Sequence, residues 1–194
     1  MSNNRIEEEP TDGLTREQDG QLAELLSKWN GGRISNLVFP SVARLTPQPC
    51  VEVVVFRKGG GGLETLLIPR PATDTVWPGM YHNPGQALRL SDYYREDGDP
   101  VNGPFQRIQR GELQAEFAER PIFVGNDFRM TLRGAEVAIV HFARLKTGTV
   151  DRDSYVWCPV EELANKADFI QHQRRHIQEL AAPAYLSRFN LDEL

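Results

Sequence analysis

Apolar residues first recur at helical spacing, at Leu14, Leu22, Leu25, Leu26 and Trp29, which is the stripe of an amphipathic helix. Thr15 with Gln18 forms a capping-box pattern, so the helix is expected to begin there, and Asn30-Gly31-Gly32 is expected to stop it. The polar, acidic residues 1–12 ahead of it, with Pro10, read as a frayed tail. Beyond residue 50 the period changes. Residues 51–57, Val-Glu-Val-Val-Val-Phe-Arg, are β-branched and aromatic, and 63–68 form a second apolar run, so the glycines at 59–62 should close a hairpin. No Gly-Lys-Ser/Thr follows those glycines and no helix opens there, which favours a turn over a phosphate cradle. Pro69 and Pro71 end the second strand, since neither can donate to a ladder.

Residues 87–104 are polar and read as a long loop with little regular structure; such loops inside compact domains are often functional. Residues 105–117 then read as a helix anchored by Phe105, Ile108, Leu113 and Phe117, with Gly111 weakening it by about 1 kcal/mol relative to alanine. A short strand at 122–124, a strong one at 135–145, a turn at 146–149, a strand at 155–160, a short helix at 161–164 and a long helix at 169–186 complete the pattern. Strands in the middle with helices around them predict an α/β sandwich around a mixed β-sheet. The expected organisation is a tail and helix at 1–48 followed by one domain at 49–194.

Composition narrows the function classes. With 194 residues and 40% hydrophobic content the chain can bury a sizeable core. No apolar run reaches the length of a membrane span, and Arg5 followed by three glutamates at 7–9 is no secretory leader, so a cytoplasmic protein without a membrane partner is expected. Cys50 and Cys158 lie far apart in apolar segments and read as reduced thiols rather than a metal knuckle or a disulfide. A net charge of −5 offers no broad attraction for nucleic acid, and a protein of this kind that handles small anions needs a cation or a few placed arginines. The apolar stripe of the first helix hints at a homodimer.

Candidate chemistry gathers in Trp77-Pro78-Gly79-Met80-Tyr81-His82-Asn83-Pro84-Gly85-Gln86 and in Gly111-Glu112-Leu113-Gln114-Ala115-Glu116. On a helix Glu112 and Glu116, four apart, would project from one face and repel by a few tenths of a kcal/mol unless a cation lay between them. Magnesium, which accepts one or two carboxylates plus waters and phosphate oxygens, could serve. The alternative is a solvated helix face. His172 and His176 share the same spacing, but Arg174 and Arg175 separate them and no glutamate follows the first, so they read as solvated. A Gly-x-Ser-x-Gly elbow is absent and Pro159 follows Cys158, which leaves no nucleophilic triad. Tyr93, Tyr94 and Arg95 are either a lid or a solvated loop.

The two quoted segments, in this order of elements, resemble the Nudix box, and the resemblance spans residues 50–188. Pro78-Gly79 matches the start of the box, with Met80 for its second glycine, while Asn83 and Gln86 stand where the family has glutamates. From Gln86 to Glu112 is 26 positions against the family's nine, an insertion of 17. Glu112, Leu113 and Glu116 match; Gly111 replaces the arginine, Ala115 a glutamate, and the closing glycine is missing. The resemblance implies a Nudix-type hydrolase that cleaves a diphosphate linkage in a nucleoside diphosphate derivative with Mg2+ or Mn2+. Glu112 and Glu116 would be its catalytic and metal-binding residues, Arg70 would grip phosphate, and Gln86 would touch substrate. Trp77 would either stack on a base or cover the core. The losses at Asn83, Gln86 and Ala115 favour the other implication, a catalytically weak or inactive Nudix-fold protein that binds a ligand or regulates, because an amide or a methyl group cannot act as a general base.

Overall fold

Thr15 caps the first helix in the way its spacing with Gln18 anticipates: Gln18 N–H donates to the Thr15 hydroxyl at 3.3 Å and Thr15 N–H to the Gln18 amide oxygen at 2.9 Å. The computed structural model describes residues 14–29, 33–35, 37–146, 150 and 152–189, so the expected tail at 1–12, the Asn30-Gly31-Gly32 stop and residues 147–149 of the expected turn lie outside them. The chain divides into two units, 1–33 and 34–194. The first carries α1 (Arg16–Ser27), none of whose residues is buried.

The second unit opens with α2 (Phe39–Leu45), which the apolar pattern did not announce because it is two turns long and begins at a proline. The hairpin follows as β1 (Gln48–Gly59) and β2 (Gly62–Pro69), in register from Phe56 opposite Thr65 to Gly59 opposite Gly62. Further strands are β3 (Tyr81–His82), β4 (Gly85–Ala87), β5 (Ile122–Thr131), β6 (Gly134–Ala143) and β7 (Val156–Pro159). The central order is β3-β2-β1-β6-β5, with β4 also on β1 and β7 also on β2; only β1 and β6 pair in parallel. The sheet is therefore mixed, as expected.

Alternation along β1 divides the core. Val54 and Phe56 face one side with Phe142, Phe169, Ile177 and Tyr185, while Val51, Val53 and Val55 face the other with Phe105, Ile108 and Leu113. Burying each such side chain contributes about 1.5–3 kcal/mol, and helical segments cover both faces, giving the α/β/α sandwich. By the same alternation Glu52 shares a face with Val54 and is 6% exposed, an acid set into an otherwise apolar run.

Four readings of the sequence change. The insertion is not irregular: α3 (Leu90–Tyr93) and α4 (Asn102–Arg107) lie in it, tied by Asp92, which takes two hydrogen bonds from Arg107 at 2.7 and 2.9 Å. The helix expected to reach residue 117 ends sooner, as a wide π turn (Ile108–Leu113) after α4. β5 runs ten residues rather than three. The long C-terminal helix is broken, because 168–170 pair with Tyr81 in extended form through Tyr81 N to Asp168 O at 2.7 Å and Ile170 N to Tyr81 O at 3.0 Å. Short helical pieces follow: Gln171–Gln173, a π turn His176–Ala181, and α5 (Ala182–Arg188) with Pro183 in its first turn. Among the described residues no helix is long and apolar enough to cross a membrane, and both cysteines are free thiols.

Candidate functional site

The π turn decides where the two expected acids go. Gln114 closes it in the left-handed region at φ 51°, and Gln109 completes the stop by accepting Ala115 N–H on its carbonyl at 3.1 Å and Phe117 N–H on its side chain at 2.8 Å. From there the chain runs extended beside the end of β6, with Lys146 N to Glu116 O and Ala118 N to Arg144 O both at 2.9 Å. Glu116 therefore leaves the helix. It is exposed and pairs with Lys146 at 3.0 Å. Glu112, still on the π turn, is drawn inward: its carboxylate accepts Gly85 N–H at 2.9 Å and the Gln86 amide at 2.5 Å. The structure brings Gln86 and Glu112 together and separates Glu112 from Glu116.

A second cluster forms where β2 ends. Asp74, with its side chain 9% exposed, accepts Val76 N–H and Trp77 N–H at 2.9 Å each, takes Arg70 Nε at 2.8 Å and is also held by Arg133. Burial alone would raise its pKa, but the donors from Trp77, Arg133, Arg70 and Val76 together hold it well below the usual carboxylate range. The two guanidiniums lie over the Trp77 ring, Arg133 at 4.9 Å and Arg70 at 5.7 Å, and the His172 ring meets it at 5.3 Å. Trp77 is only half-buried and belongs to neither apolar cluster, so it does not cover the core.

Between these groups lies a floor that sequence reasoning did not foresee. Glu52 on β1, Glu136 on β6 and Asp127 and Arg129 on β5 share one sheet face by register. Gln173 bridges to them, donating to Glu52 at 3.3 Å and accepting Asn83 N–H at 2.9 Å. Gly85 is needed opposite Glu52, because a Cβ there would stand 2.7 Å from the carboxylate. Burial, then the neighbouring Glu136 and Glu112, pushes the Glu52 carboxyl well up; burial raises Glu136 too, and raises Glu112 to about 7 against the donors from Gln86 and Gly85 and the charge of Arg70. His176 is fully buried against Asp127 at 3.1 Å, and burial with Arg129 depresses it to about 3; His172, similarly affected, lies near 4. Both were expected on a solvated helix face; the break at 168–170 replaces that helix with short pieces, His172 lying half-buried on Gln171–Gln173 and His176 buried at the start of the π turn. Several buried polar atoms have no partner: Glu136 Oε1, Arg129 Nε, His176 Nδ1 and both side-chain atoms of Asn83. The signal for Glu52 was present in the sequence, as a lone acid inside a valine run, but nothing linked it to residues so distant along the chain.

No family model matches the chain and no curated protein does. Solved structures do match: the C-terminal domain of mouse MUTYH in its complex with human PCNA, at 19% identity and TM-score 0.51, over 69% of this chain and 88% of that one. A C. elegans Ap4A hydrolase follows at 16% identity and TM-score 0.50 over 73% and 99%, and a mutT/nudix family protein from Listeria innocua at 15% and 0.51 over 74% and 96%. The chain has the Nudix fold.

Nudix hydrolases generally use a divalent metal, and the described residues present no ready-made carboxylate cluster for one. Glu112 is the one acid that the π turn directs inward, both its oxygens already accept N–H donors, and Glu116 is committed to Lys146. Among the described residues no group of three or more His, Cys, Asp or Glu side chains converges as ligands. The two acids expected to share a metal thus have different partners, Gly85 and Gln86 for Glu112 and Lys146 for Glu116. Arg70 stands in the Asp74 cluster and Gln86 on Glu112.

Proposed function

We propose that this chain is a Nudix-fold ligand-binding protein whose groove takes a nucleoside diphosphate derivative and turns it over slowly or not at all. The observation that carries the reading is the contrast between Arg70 and Arg133, fixed by Asp74 beside the half-buried Trp77 ring, and Glu116, paired with Lys146. Guanidinium forks match phosphate oxygens, and an indole face can stack on a base. A divalent metal binds diphosphates in general, but this chain's acids are not arranged to hold one.

Calorimetric titration with nucleotide sugars and dinucleotides, with and without magnesium, paired with a hydrolysis assay, tests the reading. Binding that is lost in Arg133→Gln and needs no metal supports it. Rapid magnesium-dependent cleavage would overturn it. One observation favours the hydrolase reading instead: a carboxyl near 7, as at Glu112, suits a general base at neutral pH. If that reading holds, the rate rises with an apparent pKa near 7 and Glu112→Gln abolishes it.

A further inference from the structure

The insertion builds a pocket of its own, about 450 Å³, lined by Gln86, Arg95, Gln106, Arg107 and Arg110, with Gly103 and Gly111 in its wall. Three guanidiniums and two amides line it without a single carboxylate, in a chain whose net charge is −5. Arg107 is fixed by Asp92 and by the Ala87 carbonyl at 3.0 Å, yet its Nε is buried with no acceptor. Gly103 permits that arrangement, since a Cβ there would come within 2.0 Å of the Asp92 carboxylate. Arg95 is held by Asp97 at 3.1 Å. Arg110 has no anionic partner among the described residues.

We propose that this pocket binds the phosphoryl group of a small phosphorylated molecule, with Arg110 and Arg95 supplying the charge beside the fixed Arg107. Planar guanidinium forks suit phosphoryl oxygens, and the volume lies in the range of small-ligand sites. The site goes beyond the groove: Arg70, Arg129 and Arg133 do not line it. Gln86 is shared, lining this pocket while donating to Glu112. The phosphoryl group belongs either to a separate molecule or to the far end of a ligand that also fills the groove.

Calorimetric titration of the full chain with inorganic phosphate tests the proposal in wild type, Arg110→Gln, Arg95→Gln and, for the groove, Arg133→Gln. Hydrogen bonds to charged groups are strong enough that each pocket variant should weaken phosphate at the pocket about tenfold or more, while Arg133→Gln weakens only a second phosphate bound in the groove and leaves the pocket step within about twofold. Unchanged affinity in Arg110→Gln, loss confined to Arg133→Gln, or phosphate bound no tighter than chloride overturns the proposal. The groove reading fails separately, through its own ligands and its own variant. A nucleotide sugar titrated against saturating phosphate then distinguishes the sources. Competition that Arg110→Gln relieves means one ligand spans both sites, and independent binding means a separate molecule.

Discussion

Two carboxylates, Asp74 and Glu112, are treated in opposite ways by the same fold. Asp74 is surrounded by donors, two guanidiniums and two backbone N–H groups, which outweigh burial and keep it ionised. Glu112 has two donors but, among the described residues, no cation within ion-pair distance, so burial wins and its pKa climbs to about 7. A buried carboxylate stabilises a fold when its charge is answered and costs free energy when it is not. The Asp74 cluster is thus one of answered charge, whereas the Glu112 carboxyl is answered by neutral donors alone.

Asp74→Ala should break the answered cluster most. It strips four donors of their acceptor and leaves Arg70 and Arg133 without their shared anion, so a loss of about 3–5 kcal/mol is expected in urea unfolding. Because the folded pKa is depressed, the contribution is present above the unfolded value of 3.8 and disappears as pH falls through the depressed value. An unfolding midpoint within error of wild type at pH 7 would refute the account of Asp74 as the centre of the cluster.

Glu112→Gln should act with the opposite sign. The folded pKa is raised from 4.5 to about 7, so the wild-type fold binds a proton that the unfolded chain has released, and stability declines as pH rises across that window. The full penalty, of order 3 kcal/mol, is present above pH 7. The amide removes it, offset by about 1 kcal/mol for a poorer acceptor. The variant should therefore be the more stable protein at pH 8 and not at pH 4; equal stability differences at both pH values would contradict the burial argument.

Arg133→Gln should affect binding more than folding. Its side chain is 25% exposed and shares Asp74 with Arg70, so the stability change should stay near about 1 kcal/mol. Affinity for a nucleoside diphosphate derivative should fall about tenfold. Wild-type affinity in this variant would remove Arg133 from the ligand site.

The hairpin, the strand at β6 and the cap at Thr15 were legible because each is a local pattern: period two, a glycine turn, a side-chain oxygen three residues from its donor. Arg70 was singled out only through the resemblance, as the arginine at the strand end before the box, and the structure sets it against Asp74. What could not be read was set by non-local backbone choices. The helix assumed for 105–117 stops in a π turn at Leu113, so the four-residue spacing of Glu112 and Glu116 lost its meaning, and His176 lies inside where the long helix assumed for 169–186 breaks into short pieces. Glu52 meets Asp127, Arg129 and Glu136 only through the parallel pairing of β1 with β6, which sets Gln48 opposite Glu136, 88 positions on (136 − 48), in a way no local period encodes; Asp127 and Arg129 then follow from the β5–β6 hairpin.

The smallest expected effect bears directly on function. Glu116→Gln removes an ion pair whose two side chains are 73% and 68% exposed, and such pairs contribute between nothing and about 1 kcal/mol because solvent screens them and ordering two long side chains costs entropy. The midpoint of unfolding should hardly move, and neither ligand affinity nor any residual magnesium-dependent turnover should change. The same exchange in a helix that carried both glutamates toward one metal would abolish turnover by removing half of the donor set. A turnover assay on Glu116→Gln therefore separates the two arrangements more sharply than any stability measurement: activity that depends on this carboxylate would mean that residues 114–117 coil up in the working protein and swing Glu116 away from Lys146 toward Glu112.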